Sequence, residues 1–473
     1  MIRLAVAADL PAAERYGLDV LLDLSRLLVV DDTGADTVRV TVADDPVDAA
    51  AFTAGRWRPP HADGEVRVSR DALRHVADLA GAGEEQRATA RDRHGRVPAD
   101  ANPRVRAGVA REPVVSRHAG ALRGAVVAAA GRRPVRLVCP WPDGRRWAAA
   151  LTHDLDVVAG WPVFTALRIG ELLRGGELGR AARVLRAALA AAARDPVGAA
   201  ARSVSAIDHA AGARATWFVL AGRPTPATWR RGDVTYRVES TAARRIVTAA
   251  AAHGAEIALH GTFATGRDAD RFLSERQQLA TVAGGPPVGV RQHFLRLQPG
   301  VTQRGMVAAG FSYDATYGFS DRNGFRLGVA DVVPGWDAER QRPSGLEEVP
   351  LIWMDRALSK YAGVEDPVAW VRDALELAER CREVEGLWVG LWHPNLTPAL
   401  GYPDAPAAYV TLVREVTRAP TPWIAPLAEI VAWRVARRRV RARRIAEDGR
   451  VELAAPPAAY RVLLEDGTGK AAA

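Results

Sequence analysis

Between about residue 145 and residue 435, apolar runs of strand length alternate with helical stretches, and this alternation constrains the fold more than any other feature of the chain. The runs of strand length cover residues 147–152, 215–220, 256–259, 288–294, 311–315, 348–353, 387–392 and 423–427. The helical stretches include residues 242–253, 269–282, 367–385 and 428–438. Strands that alternate with helices of this length predict a parallel sheet. Seven or eight such units favour a (β/α)7–8 barrel over an open sheet, a choice that periodicity alone leaves open.

The rest of the chain divides around this region. Residues 1–140 alternate short β-like runs with helical stretches, which predicts a smaller α/β N-terminal domain of unknown role. A turn-forming run at residues 140–144, Pro-Trp-Pro-Asp-Gly, marks the boundary before the barrel at residues 145–435. An Ala/Arg/Leu pattern at about residues 161–205 predicts a helical insertion, which could pack on the barrel or serve as a lid, a partner helix or a surface-binding helix. Residues 436–473 predict a basic C-terminal tail that frays at its end.

Composition, cysteine count and charge limit the classes of protein to which this chain can belong. The chain has 473 residues, of which 48% are hydrophobic and 25% charged, as is typical of a globular protein with a sizeable core. The two cysteines, Cys139 and Cys381, exclude a disulfide framework and a thiolate-rich zinc site, and they fit a reducing compartment. The net charge of +9 comes from arginine spread along the chain, which indicates either compositional bias or contact with a polyanion or membrane surface. Basic runs at residues 168–202 and 434–444 keep the second interpretation open.

We expect no targeting or membrane-spanning segment in this sequence. The apolar run at residues 1–9 is too short for a signal peptide and is interrupted by Asp9, and no window reaches the ~18–20 apolar residues of a spanning helix. We therefore expect a cytoplasmic protein, with room for peripheral membrane contact through the basic helices. No zinc-finger, phosphate-loop or RNA-binding motif supports a nucleic-acid partner. The oligomeric state is not predicted.

Polar side chains fall where the predicted strands end. They are Asp154 and Asp156 after the first strand, His260 after the third, Arg291 and His293 in the fourth, Asp314 in the fifth, and His393 after a late strand. Active sites of parallel barrels form at the carboxyl ends of the strands, so these side chains are expected to converge. Each of them alone also fits a structural role, such as a solvated turn, a hydrogen-bonded histidine or an ion pair. Their joint placement favours a catalytic site.

Carboxylate and imidazole groups together favour hydrolytic metal chemistry. They suit a borderline divalent cation such as zinc, with one position left for water. The cation lowers the pKa of that water and polarises a carbonyl. A second carboxylate can then take a proton, and a second histidine can give one to a leaving amine. This pattern predicts a metal-dependent hydrolase.

Five segments carry a resemblance to a known family. They are Thr152-His153-Asp154-Leu155-Asp156, the strand at residues 215–220, the run 254–262 that ends in Leu259-His260-Gly261-Thr262, the run 289–296 that contains Arg291-Gln292-His293, and Leu391-Trp392-His393-Pro394. Through these motifs, residues 145–435 resemble the polysaccharide deacetylases, carbohydrate esterase family 4, and most closely a divergent bacterial branch with an extra N-terminal domain. The resemblance implies a deacetylase-type (β/α) barrel.

The resemblance implies a role for each matched side chain. Asp154 would be the catalytic base, oriented by a bidentate contact from Arg291. Asp156 and His260 would bind the metal, and His393 would be the general acid. The family has two adjacent carboxylates, whereas one residue separates them here, so the roles of the two aspartates could be exchanged.

One departure from the family concerns the metal ligands. The family's second metal histidine lies four residues after the first, and Ala264 holds that position here. We predict that His293, which stands where the family usually has proline, supplies the missing ligand. Zinc is the expected metal, with cobalt, nickel or iron as alternatives.

The predicted substrate is an N-acetylated sugar or saccharide precursor, from which the enzyme would remove the acetyl group. Asp314, Arg326 and Trp392 are predicted to contact it, although packing or ion-pair roles fit them equally. Two alternatives stay open. One is a hydrolase of another carbon–nitrogen amide bond at the same site, and the other is a degenerate, non-catalytic barrel that binds glycan or an anionic surface. The retention of both a base and an acid at separate strand ends favours the enzyme.

Overall fold

The computed structural model describes residues 2–5, 10–30, 37–191, 195–418, 420–445, 451–454, 456–465 and 471–472. The predictions for the N-terminal apolar run and for the frayed end of the tail lie largely outside these residues. Within them, no helix is both long enough and apolar enough to cross a membrane.

The first part of the chain forms a sheet of four strands, counted over the described residues, with helices packed on it. The strands are β1 (Ile2–Ala5), β2 (Val38–Ala43), β3 (His61–Ala62) and β4 (Glu65–Ser69), in the spatial order β1-β2-β4-β3. The helices are α1 (Ala12–Ser25), α2 (Ala49–Thr53), α3 (Arg70–Ala80), α4 (Gly83–Arg87), α5 (Pro103–Arg106) and α6 (Val114–Ala130). In β4, buried Val66 and Val68 flank exposed Arg67, so one face of this sheet is covered. A short strand, β5 (Val135–Val138), follows.

The larger sheet begins after residue 144 and is parallel over most of its width. Its strands are β6 (Ala148–Leu155), β7 (Thr216–Leu220), β8 (Glu256–Gly261), β9 (Gly289–Gln292), β10 (Tyr313–Asp314), β11 (Val333–Asp337), β12 (Arg342–Glu348), β13 (Trp353–Met354), β14 (Leu387–Leu391) and β15 (Trp423–Ile424). Over the described residues their order is β11-β12-β10-β9-β8-β7-β6-β14-β13, and β15 lies beside the start of β6. Neighbours from β12 to β13 along this path are parallel, and β11 runs antiparallel to β12. Every residue of β6, β7 and β14 is buried, as expected for parallel strands covered on both faces.

One continuous chain segment connects the two ends of the parallel sheet. β12 pairs with β10, and β13 shortly afterwards pairs with β14. Between them, the Val349 amide donates to the Asp314 carbonyl at 2.8 Å. The Ile352 amide then donates to the Val389 carbonyl at 3.1 Å. The predicted α/β class is therefore confirmed as a curled parallel sheet, and the count of seven or eight barrel units stays a prediction.

Helices alternate with the strands of the curled sheet. They are α7 (Trp161–Arg174), α8 (Leu178–Ala190), α9 (Pro196–Ala210), α10 (Pro226–Arg231), α11 (Thr241–Ala252), α12 (Ala269–Ala283), α13 (Val301–Ala308), α14 (Pro367–Glu383), α15 (Ala405–Val416) and α16 (Leu427–Arg438). The four helical stretches predicted from the sequence correspond to α11, α12, α14 and α16. The predicted insertion folds as α7, α8 and α9.

The N-terminal part and the curled sheet share one hydrophobic core. Leu21 of α1 belongs to the same cluster of buried side chains as Trp388 of β14. Tyr16 of α1 stacks on Trp336 of β11, with ring centroids 4.8 Å apart. The boundary near residue 140 is thus crossed by extensive packing, and a separate N-terminal domain stays a prediction.

The basic run at the end of α16 points inward. Arg434 is fully buried and pairs with Asp23 at 3.0 Å and with Asp331 at 2.6 Å. Arg437 and Arg438 also pair with Asp23, and Arg438 pairs with Glu347 as well. These three cations are neutralised within the fold, which corrects the interpretation that this part of the run is open to a polyanion.

The C-terminal tail is anchored over its described part. β16 (Ala442–Ile445) and β17 (Val451–Leu453) form an antiparallel hairpin. β18 (Val462–Glu465) pairs antiparallel with β5 and with β19 (Ala471–Ala472). The tail therefore returns to the strand that precedes the large sheet.

Candidate metal centre

Strand alternation decides which side chains around the end of β6 face the centre. Asp154 and Asp156 lie on one side and His153 on the other. His153 is fully buried and bonds through Nε2 to Asp208 at 3.0 Å. Its Nδ1 lies 3.0 Å from the Trp392 carbonyl oxygen. His153 therefore supports the loop after β14 and does not belong to the centre.

His260, near the end of β8, is the first imidazole of the centre. Its Nδ1 lies 2.9 Å from the carbonyl oxygen of Arg291. A carbonyl oxygen only accepts, so Nδ1 carries a proton, and Nε2 offers its lone pair to a metal when the ring is neutral. That Nε2 lies 3.4 Å from Oδ2 of Asp154 and 3.4 Å from Oδ1 of Asp156. Although burial favours the neutral ring, the two carboxylates raise the pKa of His260 above its ordinary value.

His293 begins a short turn directly after β9. Its Nδ1 lies 2.9 Å from Oδ1 of Asp233, and its Nε2 lies 3.6 Å from Oδ1 of Asp156. A carboxylate on Nδ1 fixes the tautomer and the ring orientation, as it commonly does for metal-binding histidines. The next residue, Phe294, has a φ of 60° and stacks on the imidazole at 3.9 Å. A left-handed conformation at a bulky residue is costly and is often found at functional sites.

Sequence reasoning did not find Asp233. This residue lies in the loop between α10 and α11 and is buried. Besides His293, its carboxylate accepts from the Phe263 amide, with donor–acceptor distances of 3.1 Å and 3.2 Å. Neither a strand end nor a motif marks Asp233 in the sequence, so its role in holding His293 follows only from the fold.

Asp156, His260 and His293 offer ligand atoms that all lie within 4.8 Å of one another. Ligands about 2.1 Å from a tetrahedral zinc ion lie about 3.4 Å apart. Oδ1 of Asp156 lies 3.4 Å and 3.6 Å from the Nε2 atoms of His260 and His293, which matches that edge. This Oδ1 is also buried without a hydrogen-bond partner among the described residues. The donor set therefore fits a divalent cation.

The imidazoles around Asp156 keep its carboxylate ionised. Burial alone would raise the pKa of Asp156, but the imidazoles of His293, His260 and His393 hold that pKa well below its ordinary range. The carboxylate is therefore ionised, as a metal ligand must be.

Arg291 of β9 is fully buried and fixes Asp154. Its Nη1 donates to Oδ1 of Asp154 at 2.9 Å and to Oγ1 of Thr152 at 3.0 Å. Its Nε donates to the Ala315 carbonyl at 3.0 Å. The guanidinium thus contacts the carboxylate through one nitrogen, which corrects the predicted bidentate contact. Oδ2 of Asp154 remains turned toward His260.

His393 follows β14 and faces Asp156 from another side. Its backbone N–H donates to Oδ2 of Asp355 and its Nδ1 to Oδ1, both at 2.6 Å. Its Nε2 lies 3.6 Å from Oδ2 of Asp156, the oxygen opposite the one that faces the other two histidines. Although burial favours the neutral ring, Asp355 raises the pKa of His393 above its ordinary value. This arrangement suits a proton donor beside the centre.

The three predicted substrate-contacting residues are buried in the protein interior. Asp314 is fully buried and accepts bonds from the amide and the hydroxyl of Thr316. Arg326 pairs with Glu85 at 2.7 Å. Trp392 is buried among other aromatic rings. None of the three lines the cavity above the centre, so their positions support packing and ion-pair roles.

A cavity of about 520 Å³ opens above the centre. Its wall contains Arg231, Arg356 and Lys360, which form no ion pair within the described part of the chain. Arg356 donates to the Tyr402 hydroxyl at 2.8 Å and to the Asn395 side-chain oxygen at 3.1 Å, both of which are neutral. The cavity therefore has a cationic wall, which no sequence motif marks.

Comparisons with known proteins give similarity to solved structures. No family model matches the chain, and no curated protein matches it. The chain is similar to a protein assigned to the polysaccharide deacetylases from Mycobacterium smegmatis, with 24% identity, a TM-score of 0.40, and coverage of 62% of this chain and 91% of that one. A protein with the same assignment from Pseudomonas aeruginosa PAO1 has 16% identity, a TM-score of 0.40, and coverage of 62% and 92%. Puue allantoinase has 16% identity, a TM-score of 0.38, and coverage of 62% and 92%.

Proposed function

We propose that this chain is a metal-dependent hydrolase that removes an acyl group, acetyl in the first instance, from an N-acylated saccharide. The observation that carries the proposal is a group of three side chains that could bind one metal ion. A carboxylate and an imidazole flank this group, and a partner side chain holds each of these two. The ligands are Asp156, His260 and His293, and the flanking groups are Asp154 and His393. A catalytic zinc site has three protein ligands and one open position. The cavity lies on the open side of this group.

Zinc is the expected metal because two imidazoles and a carboxylate suit a borderline cation, with cobalt, nickel and iron as alternatives. A divalent cation supplies Lewis acidity there, which activates water and polarises the carbonyl of an amide. His293 would replace the histidine that the resembled family carries at the position of Ala264. The orientation of its ring by Asp233 supports this replacement.

Asp154 is proposed to accept a proton from the attacking water. Arg291 holds Oδ1 of this carboxylate, and Oδ2 stays directed toward the space beside His260. The single contact leaves one oxygen free to take a proton.

His393 is proposed to give a proton to the leaving amine. Asp355 accepts the hydrogen bond from Nδ1 and so fixes the ring with Nε2 toward the cavity. The same carboxylate stabilises the imidazolium form of the ring. The ring can therefore hold a proton until the amine leaves.

The cationic wall favours a substrate with an anionic group near the acylated amine. Arg356 has two neutral partners, so a phosphate or carboxylate would give its guanidinium an ionic one. Arg231 and Lys360 add positive charge to the same wall. We therefore expect the site to prefer an N-acetylated sugar phosphate over the neutral sugar.

Metal content and acetate release test the proposal together. Purified wild-type protein should hold about one zinc ion per chain. It should release acetate from N-acetylglucosamine phosphate faster than from N-acetylglucosamine. His260→Ala and His293→Ala should lose both metal and activity, whereas His209→Ala, an exposed histidine of α9, should keep both. Wild-type protein that stays metal-free after reconstitution, or His293→Ala with full metal content, would reject the proposed centre.

A further inference from the structure

The helical insertion carries an unusual share of exposed apolar surface. Six of the thirteen exposed large hydrophobic side chains in the described residues lie in α7 and α8, although these helices form a small part of the chain. They are Val163 (51% exposed), Leu167 (58%), Leu173 (49%), Leu178 (68%), Leu185 (48%) and Leu189 (66%). Exposed apolar side chains that lie together on one surface mark an interaction site, whereas single scattered ones need no explanation.

In α8 the exposed leucines form a single stripe. Leu178, Leu185 and Leu189 follow the spacing i, i+7, i+11, and Ala182 fills position i+4. This spacing keeps the four side chains on one face of a helix. The helix is held to the protein by another face, which buries Val184 and two alanines. None of the residues that the structure describes covers the leucine stripe.

The polar surface of the same helix is strongly basic. α8 contains three arginines and no acidic residue. Arg180 pairs with two glutamates. Arg183 and Arg186 have no acidic partner in the part of the chain that the structure describes, and the same holds for Arg174 at the end of α7. Two of these cations, Arg183 and Arg186, lie on the same helix as the leucine stripe, and the third lies at the end of the preceding helix.

We propose that α7 and α8 bind the surface of an anionic phospholipid membrane. A helix with leucine on one face and arginine on another lies in the membrane interface, with its apolar side chains among the acyl chains. The arginines then reach the lipid phosphates, and the negative surface potential of anionic lipids attracts them. Because Arg183 and Arg186 carry positive charge without an acidic partner among the described residues, an anionic membrane fits this helix better than a neutral apolar partner does.

The proposed membrane-binding surface borders the cavity above the candidate metal centre. Leu167 belongs both to the exposed set and to the cavity wall, where Phe164 and Arg168 of the same helix accompany it. A membrane bound by α7 and α8 therefore lies beside the cavity mouth. The binding itself does not depend on the proposed hydrolytic function.

Co-sedimentation of the full chain with lipid vesicles tests the proposal. The wild type should bind vesicles of phosphatidylcholine with about one third phosphatidylglycerol, bind phosphatidylcholine alone weakly, and lose affinity at high salt. The triple variant Leu178→Ser, Leu185→Ser, Leu189→Ser should bind the anionic vesicles at least about tenfold more weakly. Its helix content by circular dichroism should equal that of the wild type.

A second triple variant controls for the loss of exposed apolar side chains elsewhere. Leu273→Ser, Val307→Ser, Val410→Ser changes exposed residues outside the insertion and should bind vesicles like the wild type. Equal binding by the wild type and the leucine-stripe variant would overturn the proposal, as would a wild type that ignores anionic vesicles. Self-association of the wild type that the leucine-stripe variant abolishes would also overturn it, because a second copy would then cover the stripe. Acetate release from a soluble sugar should be unchanged in the leucine-stripe variant, which separates this test from that of the hydrolase.

Discussion

At the scale of single residues, Asp154 and Asp156 are separated by one position but have different partners. Oδ1 of Asp154 is held by Arg291. Oδ1 of Asp156 has no hydrogen-bond partner among the described residues and faces the imidazoles of His260 and His293. We infer that Asp154 is the base and Asp156 the metal ligand.

Conservative amide substitutions separate these two roles. Asp154→Asn should keep its metal and lose about 10²–10⁴-fold in activity, because an amide cannot take the proton. Asp156→Asn should lose most of its metal, because a neutral amide oxygen is a poorer ligand than a carboxylate. Metal analysis and acetate release on the same samples check both expectations. The opposite pattern would show that the roles are exchanged.

Asp233 should influence the metal through His293. In Asp233→Asn the Nδ1–H of His293 loses its charged acceptor, so metal affinity should fall by about 10–100-fold. Competition with a chelator of known affinity measures this change. Asp268→Asn, which alters a helix-capping aspartate of α12, is the control and should bind metal like the wild type. An unchanged affinity in Asp233→Asn would mean that the carboxylate does not support the ligand.

Local sequence reasoning reached some of these residues and not others. It found those at the ends of β6, β8, β9 and β14, because strand alternation and motif spacing are local properties. It could not find Asp233 or Arg356, since their loops reach the centre only through tertiary packing. It placed Asp314 and Arg326 at the substrate, but a strand-end aspartate can turn into the core, and the partner of Arg326 is Glu85 from the N-terminal part.

At the scale of elements, α12 supports the loop that follows β8. Glu275 of α12 accepts hydrogen bonds from the Thr262 amide at 3.1 Å and from its hydroxyl at 2.6 Å. Burial raises the pKa of Glu275 from 4.5 to about 7. The folded protein therefore favours the protonated carboxyl group more than the unfolded chain does.

This shift predicts how stability depends on pH. A group whose pKa is higher in the folded state contributes stability that is fully present below the unfolded pKa and is lost as the pH rises through the folded pKa. For Glu275 the loss extends from pH 4.5 to about 7. It amounts to roughly 3 kcal/mol. In Glu275→Gln the side-chain oxygen can accept from the Thr262 amide, and the side-chain NH2 can donate to the Thr262 hydroxyl in place of accepting from it. The variant carries no titrating charge, so its free energy of unfolding should lack this decrease.

Denaturant unfolding of both proteins at about pH 5 and about pH 8 measures the effect. The variant should be more stable than the wild type at the higher pH. The same fall in stability between the two pH values in both proteins would show that Glu275 is not the group responsible.

Periodicity predicted most strands and helices of the curled sheet, but it missed how the sheet curls. Residues 348–353 were expected to form one strand, whereas Glu348 ends β12, Trp353 begins β13, and residues 349–352 connect these two strands, which have different neighbours. A segment that connects the two ends of a sheet pairs first with the strand at one end and then with the strand at the other end. Local hydrophobicity does not encode that change of partner. Likewise, the charge of Arg434 suggested a surface position because Asp23, its partner, lies far away in the sequence.

At the scale of the whole molecule, the N-terminal part and the curled sheet are joined by buried ion pairs as well as by the shared core. Arg326 pairs with Glu85, and Arg434 pairs with Asp23, across the predicted domain boundary. All four side chains are largely buried. Loss of either part would expose core residues and buried charges of the other.

We therefore predict that the full chain unfolds in a single cooperative transition. Arg434→Ala leaves two buried carboxylates without this partner and should lower the free energy of unfolding by about 3–5 kcal/mol, still in one transition. Differential scanning calorimetry, with the calorimetric and van't Hoff enthalpies compared, checks this expectation. Two separate transitions, of which Arg434→Ala shifts only one, would instead indicate two independent domains.

The ligand set of Asp156, His260 and His293 is the central claim, and anomalous scattering at the zinc absorption edge tests it most directly. Crystals grown with zinc would be measured on both sides of the edge. We predict one peak about 2.0–2.2 Å from Oδ1 of Asp156 and from the Nε2 atoms of His260 and His293. The absence of a peak there, or a peak bound by other residues with His293 beyond coordination distance, would contradict the account.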